Sequence, residues 1–242
     1  MTQALFSLVV VAALLLGVPA GEARAQSDPF QRLLGREAEP QARSLWYERA
    51  DGRGRFVFDR SGRPALVLME NGREVIPVWP ARASGGGEVW LTDTDRVLLR
   101  FSNLGGVTFF PPDNRDGVIA DPVGEAPAIL AEPASGRDLQ EAARNMINEL
   151  AGRARREISA ELTDVGPEAN AFIIDAMHMV VLAAEQTPRR TLRQLDVVRI
   201  GVGEVPRADY SGGVLDISVN PGRGYGGRPS SGRILQELEQ GA

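Results

Sequence analysis

The chain has 242 residues, 43% of them hydrophobic, and a formal net charge of −5. That length can bury a core without staples, and the mild acidity argues against a nucleic-acid scaffold, which is usually strongly basic. There is no cysteine and no lysine, all 27 basic residues being arginine, which excludes disulfides, thiolate nucleophiles, zinc–sulfur and iron–sulfur sites, and Schiff-base or lysine general-base chemistry. The arginine bias reads first as the base composition of a GC-rich genome. A requirement for bidentate anion contacts is the alternative.

Residues 1–25, "MTQALFSLVVVAALLLGVPAGEARA", hold an apolar run from Ala4 to Val18, broken at Gly17-Val18-Pro19 and followed by Ala23-Arg24-Ala25. The run is shorter than the ~20 residues that span a bilayer, and the small-residue ending fits signal-peptide cleavage. No arginine or lysine precedes it, a departure from the usual signal pattern. The expectation is cleavage after Ala25, no transmembrane segment after signal cleavage, and a periplasmic or secreted location.

Residues 26–43 read as a polar lead-in arm. Residues 44–110 read as a β unit: "SLWYERA", "RFVFDR", "PALVLME", "REVIPVW", "EVWLT", "RVLLRF" and "VTFF" are short apolar runs separated by turn residues. Asn71-Gly72 is a favoured type I′ hairpin pair. Such spacing predicts an antiparallel meander curling into a small barrel or sandwich. "ALVLM" and "VLLRF" are apolar on both faces, so one face is expected to be covered by the helices that follow. Residues 111–134 carry repeated prolines and read as a linker or extended wrap.

Residues 135–220 read as a helical hairpin plus two strands. Ser135 and Asp138 fit a capping box, and apolar residues recur at helical spacing from Leu139 through Ile158 to Leu162. Gly166-Pro167 opens a second helix running to about Gln186, and Thr187-Pro188 opens a short third one ending near Leu195. "DVVRIGVGEV" and "GVLDISV" read as two closing strands, and residues 221–242 as a Gly-rich tail ending in a helical turn. The fold class is therefore α+β.

The only histidine, His178, lies in the apolar segment "AFIIDAMHMVVLAAEQ". On a helical wheel Asp175 falls about 60° to one side of it and Glu185 about 20° to the other. These three residues form a narrow polar stripe on an otherwise apolar helix, facing solvent or a neighbouring helix. A carboxylate–imidazole pair is the chemical reading of that stripe, and Asp175, His178 and Glu185 are the candidate catalytic residues. Metal binding is not expected, since zinc without cysteine usually needs two or three histidines and one D-x-x-H cannot build a di-iron site.

Other motifs dissolve on inspection. No G-x-S-x-G elbow is present. "DYSGG" at 209–213 differs from a serine-protease stretch at Tyr210, and "DTD" at 93–95 lacks the glycine of an aspartic protease. Aligning Gly117 as the glycine of a calcium loop puts Pro112 and Val123 at ligand positions. "GVGEVP" is a lone G-x-G, and "GRGYGGR" reads as a flexible linker.

The stretches "FVFDRSGRPALVLMENGREV" (56–75) and "VLLRFSNLGGVTFF" (97–110) resemble a family of secreted proteins from Caulobacter and related alphaproteobacteria, catalogued as a domain of unknown function. "ENGREVIPVW" departs from that family's pattern. The resemblance implies an envelope location and brings no activity, cofactor or catalytic residue. Taken together, the expectation is a non-enzymatic binding or structural module of the cell envelope. It needs no cofactor or metal, engages an envelope component or protein partner rather than nucleic acid, and has an apolar second helix on which copies of the chain can associate. The alternative is a carboxylate-dependent hydrolase centred on the His178 stripe.

Overall fold

The structure, a computed structural model, describes residues 43–84, 86–163 and 165–241. The expected signal peptide and all of the lead-in arm except Arg43 lie outside the described residues. No helix among the described residues is long and apolar enough to cross a membrane.

All seven expected strands form: β1 (Ser44–Arg49), β2 (Arg55–Asp59), β3 (Ala65–Met69), β4 (Val75–Arg82), β5 (Glu88–Leu91), β6 (Val97–Phe101) and β7 (Val107–Phe109). An eighth, β8 (Val118–Glu125), pairs antiparallel with both β7 and β1 and closes a barrel. So the stretch read as a linker contributes a structural strand. Its Pro122 is accommodated beside a bulge, because the register with β1 slips between Trp46 and Tyr47 and leaves Val123 unpaired and half exposed.

Alternate residues turn inward, and the interior is aromatic. Phe56 stacks on Phe109 with centroids 4.3 Å apart, Tyr47 stacks on Phe56 at 5.4 Å, and Phe58 meets Trp90 edge-on at 5.0 Å. Eight strands enclose about the space such side chains fill, so the barrel is a packed core. "VLLRF" is apolar in sequence because of a bulge. Trp90 pairs with Leu99 and Leu91 with Val97, so Leu98 is the extra residue and both leucines are buried. The Asn71-Gly72 expectation needs correction. Neither residue has a positive φ, and the turn instead closes through the Gly72 N–H to the Met69 carbonyl at 2.8 Å. With β4 beginning only at Val75, the connection is too long for a two-residue hairpin.

The apolar outer face of β1–β3 is covered mainly by the proline-rich residues 126–134. Asp59, 2% exposed, accepts the Ile129 N–H at 2.7 Å, and the Ser44 hydroxyl donates to the Pro127 carbonyl at 3.0 Å.

The second half packs α1 (Gly136–Ala154), α2 (Asn170–Gln186), α3 (Arg189–Leu192) and α4 (Ser231–Gln240) against a four-stranded sheet of order β11-β12-β10-β9. The strands are β9 (Ser159–Thr163), β10 (Val197–Val202), β11 (Arg207–Ser211) and β12 (Val214–Val219), with β10 parallel to both β9 and β12. The expected two closing strands are thus four. The expected first helix ends early, at Arg155 in a left-handed conformation, and Ile158–Leu162 belongs to an extended segment. The capping box at Ser135 and Asp138 forms as read. "DYSGG" is the β11–β12 hairpin, turning at Gly212-Gly213 with φ of 55° and 82°.

The core of this half joins Met146 and Leu150 of α1, Ile173, Met177 and Val180 of α2, Ile217 and Leu215 of the sheet, and Ile234 and Leu238 of α4. Most of the apolar circumference of α2 is therefore packed within the chain, with Phe172, Ile174, Val181 and Leu182 only partly buried. The glycine stretch of the tail differs from its expectation as a linker, while its end is helical as read. Residues 221–227 form tight 3-10 turns, and α4 is docked in the core.

Candidate functional site

The His178 stripe does not assemble into a catalytic group. Asp175 accepts the Nε–H of Arg228 at 2.5 Å. Glu185 is hydrogen-bonded by Arg73 and stands 3.6 Å from Arg153. The Arg73 hydrogen bond, with the Arg73 and Arg153 charges behind it, holds the Glu185 carboxyl below its ordinary range. His178 is exposed and makes no hydrogen bond among the described residues. It sits at the rim of a cavity of about 440 Å³ between α1 and α2, lined mainly by Met146, Met177, Val181 and Leu182. Each acid already has a cation, and neither faces the imidazole as a partner.

Arg228 organises a different centre. Its side chain is fully buried. Besides Asp175 it donates to the Val75 carbonyl at 2.8 Å and lies 3.8 Å from Glu74. Two barrel turns meet the start of α4 there. Glu74, before β4, accepts the Ser231 N–H at 3.1 Å and the Ser231 hydroxyl. Asp93, in the "DTD" turn, accepts the Ser230 N–H at 2.8 Å and hydroxyl at 2.6 Å. Carboxylates at a helix N-terminus complement its unpaired N–H groups and dipole. This centre is structural: it ties the barrel to the second half.

That joint creates a groove of about 1070 Å³ between the barrel wall and α4. Arg82 ends β4, Arg96 follows the "DTD" turn, Arg100 lies on β6, and Arg115 lies in the β7–β8 connection. Strand alternation points Arg100 outward, because its neighbour Leu99 is buried in the barrel. Four arginines face one acid, Glu239, in the lining. Among the described residues none of the four has a carboxylate within 4.0 Å. Glu88, opposite Arg82 in the strand register, stands beyond that distance. Arg96 donates weakly to the Phe110 carbonyl at 3.4 Å; the residue reaches solvent, yet partial desolvation by the surrounding groove lowers its pKa from the ordinary arginine value while the Glu74 charge acts against that. In an acidic chain, the groove thus gathers four guanidinium groups without carboxylate partners among the described residues, a local concentration of positive charge.

A family model described as a domain of unknown function (DUF4908) matches residues 29–238. The chain belongs to this family. The match runs far beyond the two stretches that carried the resemblance, so the family unit takes in the barrel, the helices and nearly all of α4. No curated protein and no solved structure matches the chain.

Sequence reasoning missed the groove. Its arginines are spread from position 82 to 115 with no shared spacing and are united only by barrel closure. The one local signal was Arg100, a charge interrupting an apolar strand.

Proposed function

We propose that the protein is a non-enzymatic binding module of the cell envelope, secreted or periplasmic after cleavage behind Ala25, with the groove between the barrel and α4 as its ligand-bearing surface. The observation that carries this reading is the set Arg82, Arg96, Arg100 and Arg115, free of carboxylate partners among the described residues. Arginines that face a common groove without carboxylate partners keep their hydrogen-bond donors available to an incoming anion. The engagement of Asp175 and Glu185 by arginines supports the same reading over a hydrolase.

Fractionation of the native host, with N-terminal sequencing and co-sedimentation on isolated envelopes, tests it. The expected result is a mature chain starting at Gln26 that sediments with envelopes and is released by salt. A chain retained whole in the cytoplasm, or one that ignores envelopes, would overturn the reading.

A further inference from the structure

The groove's lining is more specific than its charge. Guanidinium groups present planar forks that match carboxylates and phosphates alike bidentately, so the remaining side chains of the lining decide between such ligands. Between them lie side chains that exchange hydrogen bonds with hydroxyl groups: Ser84 and Thr94 on the barrel side, Gln186 and Gln236 on the helical side. Half-buried Phe110 and buried Pro111 add an apolar surface, suited to the C–H face of a sugar ring. The volume of about 1070 Å³ sits at the upper end of small-molecule sites, roughly 300–1,000 Å³, so it has room for several units of a polymer. Arg82, Arg96, Arg100 and Arg115 are all exposed to solvent at the groove.

From this lining we infer that the groove binds a segment of an acidic polysaccharide: carboxylates engaged by Arg82, Arg96, Arg100 and Arg115, ring hydroxyls by the amide and hydroxyl side chains, and a ring face on Phe110. The inference rests on the reading of the protein as an envelope binding module and names the ligand of that same groove. Nucleic acid fits less well. Single strands are held by successive aromatic platforms, and Phe110 is the only aromatic residue in the lining.

The test is isothermal titration of the whole protein with short oligogalacturonates, alongside their fully methyl-esterified forms, inorganic polyphosphate and single-stranded DNA. Oligogalacturonate is expected to bind in a salt-sensitive manner and the esterified form not to. Arg100→Ala and Arg115→Ala should each weaken binding by about tenfold, the scale of one charge-assisted contact. Arg100→Lys should restore part of the loss, and His178→Ala should bind as the parent does. The substituted arginines are exposed, so thermal melts should match the parent and separate lost contacts from lost folding. Equal binding of the esterified oligomer, or equal or tighter binding of polyphosphate or DNA, overturns the inference. So does failure of every probe while the protein still sediments with envelopes through Arg100 and Arg115, a result that leaves the binding-module reading standing. Loss of sedimentation by the parent protein defeats that reading itself.

Discussion

Glu185 shows how a residue's role is set by what faces it. On the helical wheel it belongs to the His178 stripe, yet in the fold it reaches across to Arg73 and Arg153. Those partners keep its pKa in the folded protein below the ordinary glutamate value. A depressed carboxyl contributes stability that is present above the unfolded pKa and is lost as pH falls through the folded one. Glu185→Gln should therefore cost stability at neutral pH, with the gap from the parent closing as the solution is acidified. Urea unfolding across a pH series measures this, and a gap that stays constant with pH would show that the ion pairs contribute nothing. The polarity of the stripe was legible in the sequence. Its partners were not, because Arg73 and Arg228 are distant in the chain and nothing local marks them.

At the level of elements, turn chemistry and strand spacing were legible for seven strands, because each run is short and bounded by glycine, asparagine or aspartate. β8 was hidden by Pro122, which usually argues against a paired strand and here sits beside a bulge. The end of α1 was misread for a geometric reason. Ile158 and Leu162 are four apart, which satisfies a helix face and is also twice the strand period, so periodicity alone does not separate the two. The docked tail hid behind its glycines, which read as flexibility and serve as close approach. A Cβ on Gly227 would collide with the Asn220 carbonyl oxygen, and one on Gly226 with the Pro64 ring. Gly227→Ala should cost about 1–3 kcal/mol, as overpacking at a site that cannot relax does. The readout is the denaturation midpoint, and a variant as stable as the parent would show that these turns adjust freely.

For the whole molecule, the two hydrophobic cores, one inside the barrel and one between helices and sheet, are distinct clusters. They are joined through Arg228, Glu74, Asp93, Asp175 and the serines that open α4. Removing Arg228 strands Asp175 and Glu74 without a buried counter-charge, and breaking such a pair typically costs about 3–5 kcal/mol. Calorimetry should show a single unfolding transition in the parent, with Arg228→Ala lowering it or splitting it into two. A parent that already melts in two steps would mean that the joint does not couple the halves. The α+β class was visible in the sequence from its β-rich front and helical rear. The joint was not, since it needs the barrel turns and the tail to be brought together first.

The same joint has a consequence for the order in which the chain becomes whole. Residues 228–233 engage turns at 74 and 93, so they are synthesised after everything they fasten. Until they arrive, Glu74 and Asp93 lack the partners that hold them and α2 lacks its cover by α4. The groove also lacks its second wall, so a chain caught part-way through translation has its barrel arginines but not the groove they line.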